Sequence, residues 1–136
     1  PLRLVGSEMC IRDRGLVVEN LFDIGLELSR RITSLIHDHK INFLRLSGHE
    51  AWKFLVWDLN PSLVNSAKTL FLQEMLQEGI LLLNTHNVMT SLTQKDITQI
   101  ELAYDRVLPK VKYSVETGNF EKYLRADTIR PLFQLR

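Results

Sequence analysis

The chain has 136 residues, 45% of them apolar and 24% charged, with 17 basic side chains against 16 acidic ones. That length holds one domain or part of one, and a mean hydropathy of −0.06 suits a folded protein better than a disordered tail or a fibre. The charge balance speaks against a nucleic-acid binder, no apolar run approaches the roughly 18–20 residues that cross a bilayer, and the single thiol, Cys10, cannot form an internal disulfide.

Residues 1–14, PLRLVGSEMCIRDR, follow neither a helical nor an alternating period. They are too polar for the centre of a secretory signal and lack its small-residue cleavage pattern. The run LVGSEMCIRDR resembles the translation of a sequencing adapter joined in frame to a coding sequence. On that reading the segment is a disordered scar outside the fold, and the gene continues upstream; the alternative is a natural N-terminal arm. Without it the chain keeps 14 basic and 14 acidic residues and has no cysteine nucleophile.

Residues 18–39 place Leu21, Phe22, Gly25, Leu28, Ile32, Leu35 and Ile36 three and four apart, the stripe of a one-faced helix. Gly25 costs about 1 kcal/mol there against Ala, so its presence points to a close backbone neighbour. From Phe43 the period changes to two. Phe43 to Leu46, a turn at Ser47-Gly48-His49-Glu50, and Trp52 to Trp57 read as two antiparallel strands. Trp52 and Trp57 then face opposite sides, one of them to the core, and Lys53 is expected on the exposed face.

Asn60-Pro61 caps and opens a second helix over residues 63–78, with Leu70, Phe71, Met75 and Leu76 inward and Gly79 closing it. Ile80 to Leu83 reads as a short buried strand. Thr93 to Asp96 is a capping-box variant opening a third helix, with Ile97, Ile100, Leu102, Tyr104, Val107, Leu108 and Val111 among its apolar positions. Pro109 is expected to bend or break that helix, and Gly118 to end it. A short helical piece follows Phe120. Helix, two strands, helix, strand, helix gives an α+β fold with helices packed on a small antiparallel sheet.

Few residues point to chemistry. The chain has no Gly-rich phosphate loop and no GxSxG elbow. His37 and His39 stand two apart on a helix and cannot share a face, so no metal site is expected. Glu74 and Glu78, one turn apart, read as a wet helix face rather than an acid–base pair. The run Asn84-Thr85-His86-Asn87 stands out, because it follows a buried strand and precedes a capped helix, where loops often reach a ligand. A loop that bonds its own backbone has the same composition.

Several stretches carry a resemblance. They are ENLFDIGLELSRRITSLIHDHK at residues 19–40, Ser47-Gly48-His49-Glu50-Ala51-Trp52, TLFLQEMLQEGIL at residues 69–81, and His86-Asn87. Ser91-Leu92-Thr93 with Asp96-Ile97, and the closing IRPLFQLR, complete them. In this order they resemble the C-terminal portion of class-III pyridoxal-phosphate aminotransferases, in particular the glutamate-1-semialdehyde aminotransferase (aminomutase) group. The resemblance implies that residues 15–40 form a helix linking to a missing large domain and that residues 41–136 form the C-terminal small domain of a fold-type I enzyme. The parent would use pyridoxal 5'-phosphate to move an amino group on a small amino or keto/aldehyde substrate, as a cytoplasmic homodimer with no nucleic-acid or membrane partner.

The Schiff-base lysine, the carboxylate facing the pyridine nitrogen and the phosphate loop of that family lie in the large domain. This chain is therefore expected to hold no catalytic, cofactor-binding or metal residue and to be inactive alone. By the same resemblance His86 and Asn87 are its substrate-side residues. Leu92 stands where the family usually carries His, which removes that hydrogen-bonding group. Two other classes fit the residues: a stand-alone protein-interaction module using the first helix and one Trp, and a small-ligand-binding module using the loop at Asn84 to Asn87.

Overall fold

Helix α1 (Leu16–Asp38) buries Gly25, Leu28, Ile32 and Ile36, the stripe expected from its spacing. The structure, a computed structural model, describes residues 15–129; the segment read as a scar and the tail from Arg130 lie outside the described residues. The neighbour implied by Gly25 is the turn between the first two strands. A Cβ on Gly25 would stand 2.1 Å from the Glu50 carbonyl oxygen and 2.6 Å from its carbon, so helix and turn meet backbone to backbone.

Strands β1 (Leu44–His49) and β2 (Trp52–Trp57) pair antiparallel, Leu44 opposite Trp57 and His49 opposite Trp52. The turn is thus the two residues Glu50-Ala51, tighter than the sequence suggested. Ser47 to His49 stay in the ladder, with Gly48 at a φ of 100° that few other residues adopt. Lys53 is a second correction. Alternation along β2 sets Lys53, Leu55 and Trp57 on the covered face, and the ammonium folds back to the Gly48 carbonyl (2.9 Å) and Glu50 Oε1 (2.7 Å). Trp57 joins the core, while Trp52 is 54% exposed and lies 4.9 Å, ring to ring, from Phe54.

Helix α2 (Pro61–Gln77) starts as expected, Asn60 Oδ1 accepting from the Ser62 N–H at 3.1 Å. Its inward stripe is Ala67, Leu70, Phe71, Glu74 and Met75, so Leu76 faces out and Glu74, expected on the wet face, faces in. The Glu74 carboxylate receives Lys110 Nζ at 2.5 Å and Gln73 Nε2 at 2.9 Å. Burial pushes its pKa up, but these donors outweigh that and hold it below the usual carboxylate value.

No strand forms at Ile80 to Leu83. Leu82 is buried, whereas Leu81 and Leu83 are 79% and 75% exposed. Pairing begins after Asn84, whose positive φ of 70° redirects the chain and whose carbonyl accepts the Leu55 N–H at 3.0 Å. Strand β3 (Thr85–Asn87) then runs antiparallel to β2, giving the order β1-β2-β3.

Helix α3 (Gln94–Thr117) opens on a full capping box between Thr93 and Asp96 and ends at Gly118 in the left-handed region. Pro109 does not break it. Its ring lies on the exposed side, where water can serve the Asp105 carbonyl that loses its helical partner. The three helices pack on the three-stranded sheet as an α+β layer, with Ile32, Leu70, Phe71, Met75, Tyr104, Val107 and Val111 at its centre. Among the described residues no helix is long and apolar enough to cross a membrane.

Candidate functional site

His86 and Asn87 are neighbours on β3 and so point to opposite sides of the sheet. Asn87 is exposed, paired with Trp52 in the ladder. His86 is buried at 7% exposure, opposite Lys53, with Nε2 2.6 Å from the hydroxyl of Tyr104 on α3. Burial lowers the imidazole pKa from 6.5 to about 4, and burial raises the phenol of Tyr104 well above its ordinary value. Both groups are therefore neutral near pH 7.

An aromatic chain positions this pair. Phe43 stacks on Trp57, Trp57 meets Phe71 edge-on at 5.6 Å, Phe71 packs on Tyr104 at 5.4 Å, and Tyr104 on His86 at 5.6 Å. Trp57 Nε1 donates to Asn84 Oδ1 at 2.8 Å, which fixes the bend into β3. Asn84 is thus a structural residue, and only the far part of the polar run is free to meet a ligand.

Beside β3 an open cleft of about 550 Å³ runs between the extended stretch from Gly79 to Leu83 and the start of α3. His86, Asn87 and Thr85 line one side, Leu81, Leu83, Met89 and Leu92 supply apolar surface, and Asp96 and Gln99 stand at the helix end. Leu92, where the resembled family has His, adds to that apolar bank. The one carboxylate in the lining among the described residues is Asp96, whose Oδ2 accepts from the Thr93 N–H at 2.8 Å and from its hydroxyl at 2.7 Å. These bonds hold its pKa below the usual carboxylate value.

Among the described residues no lysine or arginine lines the cleft. Lys53 is tied to Glu50, Lys110 to Glu74 and Lys112 to the His39 carbonyl. A pyridoxal phosphate needs an amine for its aldehyde and donors for a dianionic phosphate. Among the described residues the cleft has no amine and no cationic donor for the phosphate, so its residues do not fit that cofactor.

Sequence reasoning singled out His86 and missed Tyr104, which it counted only as an apolar position of α3. It also missed the polar cluster under α1. There Ser29 Oγ and Glu50 Oε2 are buried without a hydrogen-bond partner among the described residues, in a crevice too narrow for water. Among the described residues no group of His, Cys, Asp and Glu could hold a metal ion.

Against known proteins, no family model matches the chain, and no curated protein matches it. Among solved structures it is similar to the pyridoxal-phosphate internal aldimine form of the FumI protein of Sphingopyxis sp. MTA144, with a TM-score of 0.62 at 17% identity over 74% of this chain. The likeness is one of fold. The chain spans 24% of that protein's length.

Proposed function

We propose that this chain is the C-terminal part of a pyridoxal-phosphate-dependent aminotransferase or aminomutase. The reading is carried by the fold likeness to a protein that bears this cofactor and is about four times as long as the matched region. The segments that resemble class-III aminotransferases, with the glutamate-1-semialdehyde group foremost, support it from the sequence side. The parent acts in the cytoplasm as a homodimer on a small amino or keto/aldehyde substrate. Its large domain brings the cofactor site, and His86 and Asn87 stand on the substrate side of the cleft.

The bare side of the sheet suits the same reading. Trp52 and Phe54 are 54% and 37% exposed, and Leu81 and Leu83 protrude from the cleft rim. Apolar side chains grouped in this way suit contact with another part of the protein better than contact with water. The test compares the 136-residue chain with the product of the complete gene. After incubation with pyridoxal phosphate and gel filtration, the complete product should retain the cofactor's visible absorbance and transfer an amino group, and the chain alone should do neither. A complete product that retains no cofactor overturns the reading.

A further inference from the structure

We infer that His86 presents its Nδ1–H to the cleft as a fixed hydrogen-bond donor, and that the cleft takes an uncharged aliphatic group bearing a carbonyl or hydroxyl oxygen. The tautomer follows from counting donors. Tyr104 is fully buried, and His86 Nε2 is its hydroxyl's partner among the described residues. If Nε2 carried the proton and donated to the phenol oxygen, the Tyr104 O–H would be left buried with no acceptor. With the O–H donating to Nε2 every proton is used, and the neutral ring then carries its hydrogen on Nδ1.

Nδ1 meets the open cleft. Among the described residues the buried polar atoms without a partner are Ser29 Oγ, Glu50 Oε2 and Ser114 Oγ, and Nδ1 is not among them. The crevice on the α1 side admits no water, so the small exposure left to His86 comes from the cleft. The pair makes His86 the contacting group and Tyr104 a positioning residue.

The ligand class follows from the rest of the lining. Among the described residues no lysine or arginine lines the cleft to balance a carboxylate or a phosphate, and the imidazole N–H offers an ammonium no acceptor. An anionic group would lose water there without compensation. Leu81, Leu83, Met89 and Leu92 instead suit a short alkyl chain, and Gln99 and the imidazole N–H supply neutral hydrogen bonds.

The test uses the 136-residue chain and two probes of similar shape, 2-hexanone and hexanoate. Imidazole nitrogen NMR of the unmodified chain should show His86 as the Nδ1–H tautomer. Tyr104→Phe should release it to a mixture, a change that loss of packing alone does not produce. 2-Hexanone should bind saturably and shift the His86 Nδ1 resonance, hexanoate should bind about tenfold more weakly, and His86→Phe should erase the preference. An Nε2–H tautomer in the unmodified chain, equal binding of hexanoate, or no saturable ketone shift overturns the proposal. All three are read on the unmodified chain and need no variant to fold.

The inference rests on reading His86 as a substrate-side residue, yet it fails separately. A complete gene product that retains pyridoxal phosphate while the chain ignores 2-hexanone removes the ligand assignment alone. Ketone binding beside a product that retains no cofactor upholds the ligand class and removes the enzyme reading.

Discussion

His86 enters the core as a neutral ring, and its protonation belongs to the unfolded chain. With the folded pKa lowered from 6.5 to about 4, a pH between these values leaves the unfolded chain holding a proton that the folded chain refuses. Its contribution is fully present above the unfolded pKa and is lost as pH falls through the window toward the folded value. The loss between about pH 7 and about pH 5 should be roughly 2 kcal/mol, read from urea midpoints at the two pH values. His86→Phe should flatten that dependence; an unchanged slope would place the titration elsewhere. The sequence marked His86 by its polar neighbours but gave no sign of Tyr104, because a partner 18 positions away is set by the packing of α3 on β3. Lys53 was misplaced for a related reason. Its apolar neighbours Trp52 and Phe54 suggested a wet lysine between two core aromatics, whereas the covered face belongs to Leu55 and Trp57.

The helices were legible because their signals are local. Asn60-Pro61, the Thr93–Asp96 box and Gly118 each act within one turn of chain, and each appears where the sequence put it. The Gly25 reading also held, and it yields an element-level prediction. Gly25→Ala gains about 1 kcal/mol of helix propensity yet drives a methyl into the Glu50 carbonyl, so α1 and the hairpin must separate. A net loss of about 2 kcal/mol is expected in denaturant unfolding. Gly79→Ala, where a Cβ meets nothing within 4 Å but φ is +81°, meets backbone strain without a clash and should cost about 1 kcal/mol. A neutral Gly25→Ala would show that the helix does not touch the turn. The sequence put a strand at Ile80 to Leu83 because a short apolar run reads alike in a strand and in an extended, half-exposed loop. The pairing partner decides, and β2 finds Thr85 to Asn87 only after the bend at Asn84. Glu74 was misread because a carboxylate is a core residue only when a cation reaches it, and Lys110 comes from another helix.

At the scale of the whole molecule, one side of the sheet is covered by helices and the other shows Trp52 and Phe54. The fold class was readable from the order of elements, and the α+β layer follows from it. The cleft was readable only in part. His86 and Asn87 were in view, but the lining also draws on the Gly79 to Leu83 stretch and the start of α3, which the sequence scatters along the chain. The enzyme reading stands or falls on what the gene encodes ahead of this region. The most direct measurement is to sequence the source DNA upstream of the codon for Gly15. A continuous frame encoding a large domain is expected, with a lysine in a Gly-Lys-x-x-Gly-type context. A stop codon followed by a start site close to residue 15 would contradict it and leave a binding module or a decayed gene.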